Sequence, residues 1–156
     1  MNHHYTNQTF VQGFQSSSFW TILSGVLVFV LGQIVLELII KPLKEYKIIK
    51  SHLTSELKYY TNIICNPISE NYKNMNNEDN LQHYKNVSHT LRRLSCDLEA
   101  KYYDNSSFVR KWMIKDDVKS AGAELLLLSN RLISTSGSQD SNHDIIIKIK
   151  KYLDLN

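Results

Sequence analysis

The side chains of this chain that could do chemistry are few, and the strongest group consists of His89, Cys96 and Cys65. His89 and Cys96 are seven residues apart, so they share one face of a helix, and Cys65 on another segment could join them. A zinc site would still need a further ligand. Such a cysteine is more commonly a small, half-buried apolar residue beside a surface histidine. We therefore predict no metal site.

The carboxylates and glycines form no catalytic pattern. Asp116 and Asp117 are neighbours that are explained by the capping of a helix, and Asp97 and Glu99 fall on two sides of another helix. Acid–base catalysis requires groups that converge on one substrate. None of the five glycines forms a nucleotide-binding loop after a strand. The sequence therefore predicts no catalytic residue, no cofactor, and a protein that is not an enzyme.

The charges are distributed very unevenly along the chain. All 18 lysines and arginines lie at or after Lys41, and of the 15 acidic residues only Glu37 precedes it. A basic cluster follows at once and consists of Lys41, Lys44, Lys47 and Lys50. Such a cluster beside a membrane segment attracts anionic lipid. Because the rest of the chain is only mildly basic, we expect membrane lipid, and not nucleic acid, as a partner.

Residues 19–40 predict a membrane-spanning helix. They contain one charge, Glu37, and at about 1.5 Å per residue they extend for about 33 Å, enough to cross a hydrocarbon core of about 30 Å. A secretory leader would have a basic start, a shorter apolar run and small residues at its cleavage site. The lysines that follow favour a cytoplasmic C-terminal part. We predict a single-pass protein of the inner cell membrane with an extracytoplasmic tail (1–17), a transmembrane helix (18–41) and a cytoplasmic helical bundle (42–156).

The predicted transmembrane helix has a patterned surface. Thr21, Gly25 and Gly32 recur at helical spacing and would let two backbones approach closely, whereas Gln33 and Glu37 form a second row. A polar side chain in hydrocarbon favours a partner. We interpret these residues as candidates for transmembrane association, either with a second copy of the chain or with another protein. The alternative is that Glu37 pairs with the first lysine of the basic cluster and that the glycines have no partner.

Beyond the anchor, apolar residues recur at helical spacing, which predicts an all-α fold. The expected helices are 42–66, 78–103, 117–134 and 143–154. Pro42 either starts the first of them or kinks a helix that continues from the membrane. The β-branched residues 145–149 would also suit a strand, but the sequence offers no partner strand. We expect the second helix to pack lengthwise on the first, and the apolar run 125–128 to make the third helix central.

The ordered segments also resemble a known family. The likeness is carried by Lys41-Pro42 after the anchor, Glu45-Tyr46, residues 59–67 (YYTNIICNP), residues 91–94 (LRRL) and residues 127–132 (LLSNRL). Together they resemble a family of small single-pass bacterial membrane proteins of uncharacterised function. The resemblance covers residues from about 18 to 153. It implies an anchor with a cytoplasmic helical domain and carries over no active-site residue.

Three functions are open at this point. The first is a membrane-anchored interaction or regulatory module, whose helical domain binds a cytoplasmic partner or whose chains self-associate. The second is a membrane-acting effector of a bacterial anti-phage or toxin-like system, which the architecture resembles. The third is a helical regulator that touches lipid or RNA phosphates through a basic face. The patterned anchor and the lack of catalytic groups favour the first.

Overall fold

The computed structural model describes residues 17–68, 78–133 and 141–155, and every regular element in these ranges is a helix. The elements are α1 (Ser17–Val35), a π-helical turn (Leu36–Ile40), α2 (Lys41–Tyr59), α3 (Thr61–Cys65), α4 (Glu78–Tyr103), α5 (Ser107–Trp112), α6 (Val118–Arg131) and α7 (Asn142–Tyr152). The predicted all-α fold is confirmed for these ranges, and residues 145–149 are helical. The predicted tail, 1–17, lies outside the described residues except for Ser17.

From Ser18 onward, α1 continues through the π-helical turn into α2, so that Ser18–Tyr59 is one continuous helix. The Lys41 N–H donates to the Leu36 carbonyl, which is the hydrogen-bond pattern of a π-helix. Pro42 follows in the first turn of α2. A proline has no N–H to donate, and in a regular α-helix its ring collides with the carbonyl one turn earlier, so the wider turn makes room for it. Of the two roles predicted for Pro42, the structure has the one in which the helix continues.

The single helix expected over 42–66 is divided into α2 and α3. Tyr60, between them, has φ −93° and ψ 10°, which lies outside the α-helical range. Tertiary contacts hold the chain directly after this break. α3 contacts α7 and buries Ile64 completely, and the Asn142 side chain donates to the Ile64 carbonyl at 2.6 Å. These contacts attach α3 to the bundle.

α4 and α6 together form the centre of the bundle. α4 packs against α2 on one side and more extensively against α6, and α6 in turn packs against α7. The expected packing of α4 on α2 is present, but the principal partner of α4 is α6. Large, fully buried side chains come from α2, α4, α6 and α7, and they include Leu53, Leu57, Leu91, Leu98, Leu125, Leu128 and Ile149. Removal of this apolar surface from water stabilises the bundle, and α1 contributes no buried residue to it.

α6 lies between α4 and α7, as the apolar run 125–128 predicts, but only two of the four leucines in that run are buried. Leu125 and Leu128 are fully buried, whereas Leu126 and Leu127 are exposed. Within the described residues, α6 has extensive contacts with α4 and α7 and with no other helix, so one of its sides is uncovered. Four consecutive leucines in a helix point in all directions, and among the described helices α4 and α7 bury two of them.

The crossing of α4 and α6 depends on a glycine. The Ser95 hydroxyl donates to the Gly122 carbonyl at 3.0 Å, and both residues are buried. A Cβ at position 122 would lie 3.2 Å from Ser95 Oγ and 2.5 Å from Glu99 Oε1. The two helices therefore cross closely at Gly122, with a hydrogen bond between their surfaces.

Acidic side chains hold the starts of α6 and α7. Asp117 caps α6 by accepting a hydrogen bond from the Ser120 N–H at 3.1 Å. Ser141 caps α7 in a capping box with Asp144. Because these hydrogen bonds favour the ionised carboxylate, the pKa values of Asp117 and Asp144 are lowered. Of the two carboxylates predicted as caps for α6, Asp117 has that role and Asp116 has another.

Candidate membrane anchor and interaction surfaces

The apolar half of the long helix is uncovered by the rest of the described chain. An apolar window of 18 residues in the helix Ser18–Tyr59 has a mean hydropathy of 2.4, and none of it is buried. By length and composition this helix can cross a membrane. Trp20 and Phe19, whose ring centroids lie 5.9 Å apart edge to face, stand near its start, where aromatic side chains suit a membrane interface.

The residues predicted for transmembrane association are all exposed on this helix: Thr21, Gly25, Gly32, Gln33 and Glu37. Nothing lies within 4 Å of the position that a Cβ would take at Gly25 or Gly32. The Gln33 amide makes no hydrogen bond with the described part of the chain. Glu37 differs, because it forms an ion pair with Lys41 one turn later. The pairing predicted as the alternative is thus present, while the glycines and Gln33 stay uncovered.

The basic cluster contains two kinds of lysine. Lys44 and Lys47 are exposed and make no ion pair with the described residues. Lys41 is also exposed but is paired with Glu37. Lys50 points to the bundle, where its ammonium group donates to Asp116 Oδ2 at 2.8 Å. The positive charge that is free to meet a lipid headgroup therefore lies in the first two turns of α2, and Lys50 has a structural role.

Lys50, Tyr46 and Asp116 form a polar cluster between α2 and the segment before α6, which we call the Asp116 cluster. The Tyr46 hydroxyl donates to Asp116 Oδ2 at 2.6 Å, and Tyr46 is almost fully buried. Burial, and then the hydrogen bond to Asp116, raise the pKa of Tyr46 above its ordinary value. The phenol therefore stays protonated and acts as a donor. The sequence indicated no such role for Asp116, because its partners are 66 and 70 residues away.

A groove of about 390 Å³ lies between α2 and α4, and we call it the α2–α4 groove. Its lining is mostly apolar, and the Ile48 side chain is exposed in it. Lys101 stands at its edge and donates to Glu45 Oε2 at 2.8 Å, which joins the two helices. Hydrogen bonds to Glu45 and Asp104 raise the pKa of Lys101, so it is charged in any physiological medium. An apolar groove with charged edges suits the binding of a protein segment.

α5 and the residue after it carry an exposed apolar surface, the α5 patch, made of Phe108, Trp112 and Met113. The Phe108 and Trp112 ring centroids lie 6.4 Å apart. From the sequence, no role was assigned to these side chains. The available signal was the spacing of two aromatic residues by one helical turn, with Arg110 and Lys111 between them.

The residues considered as metal ligands give no site within the described ranges, where no group of three or more His, Cys, Asp or Glu side chains could hold an ion. Cys65 and Cys96 are exposed free thiols. Comparisons of the chain with models of protein families, with curated proteins and with solved structures give no match. The resemblance to small single-pass membrane proteins therefore stays a prediction, and function must be argued from the surfaces described above.

Proposed function

We propose that this protein is a single-pass inner-membrane protein whose helical bundle serves in the cytoplasm as an interaction module. The proposal rests on the continuous helix Ser18–Tyr59, whose first half is apolar and uncovered. Its second half contributes Tyr46, Leu53 and Leu57 to the core. Because one helix belongs to both parts, the bundle would be held at the membrane surface without a flexible linker.

An apolar N-terminal helix can also belong to the core of a soluble protein or to a secretory leader, and both assignments have less support. The core helix of a soluble protein is mostly buried, whereas none of this apolar window is buried. A secretory leader ends in small residues at a cleavage site, whereas residues 36–38 are Leu, Glu and Leu and pass directly into α2. The basic cluster supports a cytoplasmic bundle, since lysines beside a membrane helix favour the inner side.

The exposed polar surface of the anchor favours a second copy of the anchor as its binding partner. The Gln33 amide would lie in hydrocarbon without a partner from the described part of its own chain, and a hydrogen bond between helices contributes about 1 kcal/mol in a membrane. The open surface at Gly25 and Gly32 would let a second backbone come close. Phe29 lies between these two rows on the helix, so it would be near any helix that packs there.

The α2–α4 groove is the surface of the bundle that we assign to a cytoplasmic partner. It lies on the half of α2 next to the anchor, since Glu45 and Ile48 both line it. A partner bound there would be brought to the membrane surface. Ile48 is the exposed apolar side chain in this groove, and Ile147 on α7 is equally exposed but lies elsewhere. The two isoleucines form a matched pair for testing the groove.

The proposal is tested with the full-length chain in the membranes of the cells that produce it. A photoreactive phenylalanine derivative replaces Phe29, Ile48 or Ile147 in three separate variants, and membranes are washed with alkaline carbonate before irradiation. We expect the chain to resist the wash, Phe29 to cross-link to a second copy, and Ile48 to cross-link to one discrete protein. Ile147 should give neither product.

Two results would contradict the proposal. Release of the intact chain by carbonate would show that the helix Ser18–Tyr59 does not cross the bilayer. A chain that stays in the membrane but gives only uncross-linked monomer at Phe29 and Ile48 would show an anchored protein that is not an interaction module. A discrete product at Ile147 alone would place the partner on α7 and remove the assignment of the groove.

The uncovered Gln33 amide also favours a second candidate function, a membrane-acting effector. Clustering of helices that carry a polar side chain in their apolar segment would perturb the bilayer. Induced synthesis of the chain should then slow growth and admit an impermeant dye, and Gln33→Leu should abolish both effects. Gln82→Leu, an exposed glutamine on α4, is the matched control. Unchanged growth and dye exclusion with the unaltered chain would remove this function.

A further inference from the structure

The α5 patch is as exposed as the anchor itself. Phe108, Trp112 and Met113 have exposed fractions of 60%, 67% and 51%, and Trp20 on the anchor has 63%. Their neighbours Val109 and Ile114 are buried, so α5 has one face in the core and the other uncovered by the described chain. Adjacent exposed aromatic side chains on a fixed helix mark a surface that something covers.

Contacts with the first turns of α2 place α5 next to the anchor. The Asn105 amide, just before α5, lies 3.5 Å from the Pro42 carbonyl and is buried. A cavity of about 240 Å³ is lined by both Leu43 and Met113. Pro42 and Leu43 directly follow the apolar helix. The α5 patch is therefore attached to the end of the bundle where the proposed membrane span stops.

The turn into α5 is held rigidly, so the patch keeps its position. The Arg110 guanidinium donates to the carbonyls of Tyr103 and Asn105 at 2.9 and 2.8 Å. It also lies over the Tyr103 ring, 5.4 Å from the centroid. Ser106 caps α5 by accepting from the Val109 N–H. A surface fixed in this way loses little conformational entropy when it is covered.

Exposed lysines lie beside the patch. Lys111 and Lys115 are exposed on α5 and on the segment that follows it, and Lys47 lines the same cavity as Met113. Aromatic and thioether side chains framed by basic residues match a bilayer surface, where rings sit at the acyl boundary and lysines meet anionic headgroups. A soluble protein partner would require no particular position relative to the anchor, whereas a lipid surface does.

We propose that α5 is a second membrane contact, in which Phe108, Trp112 and Met113 enter the headgroup region of an anionic bilayer beside the anchor. This inference rests on the proposed membrane span. The bilayer that holds the helix Ser18–Tyr59 would also cover the patch, and the two attachments together would fix the tilt of the bundle. The patch buries apolar surface only to a depth of about 5–10 Å, as interfacial helices do.

The experiment uses the two tryptophans of the full-length chain as separate reporters. The chain is reconstituted in vesicles of phosphatidylethanolamine and phosphatidylglycerol that contain lipid brominated at the top of the acyl chain. Trp20→Phe leaves Trp112 as the sole tryptophan, and Trp112→Phe leaves Trp20. The control chain carries Trp20→Phe, Trp112→Phe and Tyr59→Trp. Tyr59 is exposed, and it lies about 27 Å along the helix from Lys41.

We expect bromine quenching of Trp112 to exceed that of the Tyr59→Trp control at least about twofold, because the interfacial depth brings the ring within reach of the quencher. Trp20 should also be quenched. With phosphatidylcholine in place of phosphatidylglycerol, quenching of Trp112 should fall, since the lysines lose their anionic partners.

The outcomes separate this inference from the proposed function. Quenched Trp20 with Trp112 at the level of the control would overturn the α5 contact and leave the anchor. Trp112 shielded from aqueous iodide but not quenched by the brominated lipid would mean that protein covers the patch, which also overturns it. If neither tryptophan is quenched, the membrane span fails and the α5 contact fails with it. Equal quenching of Trp112 in both lipid mixtures would overturn the anionic requirement.

Discussion

Asp116 shows how one carboxylate can join distant parts of a small protein. It receives hydrogen bonds from Tyr46 and Lys50 on α2, while its neighbour Asp117 caps α6. The Tyr46 hydroxyl is buried, so without Asp116 it would lose its acceptor. An unsatisfied buried polar group costs more than the hydrogen bond itself contributes. The Asp116 cluster therefore fixes the position of α2, and with it the apolar helix α1, relative to α6.

Replacement of Asp116 tests this role. We expect Asp116→Ala to lower the free energy of unfolding by about 1–3 kcal/mol, because it leaves the Tyr46 hydroxyl and the Lys50 ammonium group without a partner. Asp97→Ala, which removes only an exposed pair with Arg93, should change it by less than about 0.5 kcal/mol. Urea unfolding of the full-length chain in lipid nanodiscs, followed by circular dichroism, measures both. Equal effects would contradict the proposed role of the cluster.

Sequence reasoning could not have found the Asp116 cluster. The pair Asp116-Asp117 is a correct signal for the start of α6, and nothing in the sequence indicates which of the two carboxylates is the cap. The choice depends on the position of α2 in space. The α5 patch is a different case, since Phe108 and Trp112 are visible as a spaced aromatic pair. Their position beside Pro42 comes only from the packing of Asn105.

At the scale of the helices, the apolar periodicity of the sequence predicted the structure better than it predicted the roles of single residues. The range 78–103, based on a polar start and a regular apolar stripe, coincides with α4. The range 42–66 does not describe one helix, because the backbone leaves the helical range at Tyr60, although Ile64 beyond it is buried like Leu53 and Leu57 before it. Periodicity indicates which face of a helix is apolar. It does not indicate where the backbone leaves the helical range, since the apolar spacing continues across the break.

The crossing of α4 and α6 gives a prediction for Gly122. We expect Gly122→Val to lower the free energy of unfolding by about 1–3 kcal/mol, because the added atoms meet Ser95 and Glu99 in a packed interface. Ala123→Val, at the exposed neighbouring position, tests the lower helix propensity of valine alone and should cost about 0.5 kcal/mol. The same urea titration measures both variants. A Gly122→Val chain as stable as Ala123→Val would mean that the crossing accommodates a side chain at position 122 and does not depend on the glycine.

The capped first turns of α6 and α7 give a prediction for the pH dependence of stability. The pKa values of Asp117 and Asp144 lie below their usual 3.8 in the folded chain. Their contribution to stability is therefore complete above that usual value and is lost as the pH falls through the lower folded values. Asp117→Asn keeps a capping oxygen, but the amide does not titrate. The variant should therefore preserve stability at neutral pH and lose less stability in acid than the unaltered chain. Thermal unfolding at several pH values measures this, and an unchanged acid loss would contradict it.

At the scale of the whole molecule, the proposed topology places both exposed cysteines on the cytoplasmic side. We expect an impermeant maleimide to label Cys65 and Cys96 only after spheroplasts are lysed. In a chain with Cys65→Ser and Cys96→Ser, the added substitution Asn7→Cys should be labelled in intact spheroplasts. The reverse pattern would mean that the lysines of the basic cluster do not set the orientation. Gel analysis of the labelled chain is sufficient to distinguish the two topologies.

The π-helical turn (Leu36–Ile40) also determines how the bundle is rotated about the long helix axis relative to Gln33. An α-helix rotates by about 100° per residue, so the number of residues in the turn sets the angle between Gln33 and the surfaces of the bundle as viewed along the membrane normal. Two chains that meet through Gln33 must then offer each other a fixed side of their bundles. The deletion of one residue from the turn would swing the bundle by about 100° and bring a different side forward. In such an assembly, the geometry of this backbone turn would determine which cytoplasmic surfaces face each other.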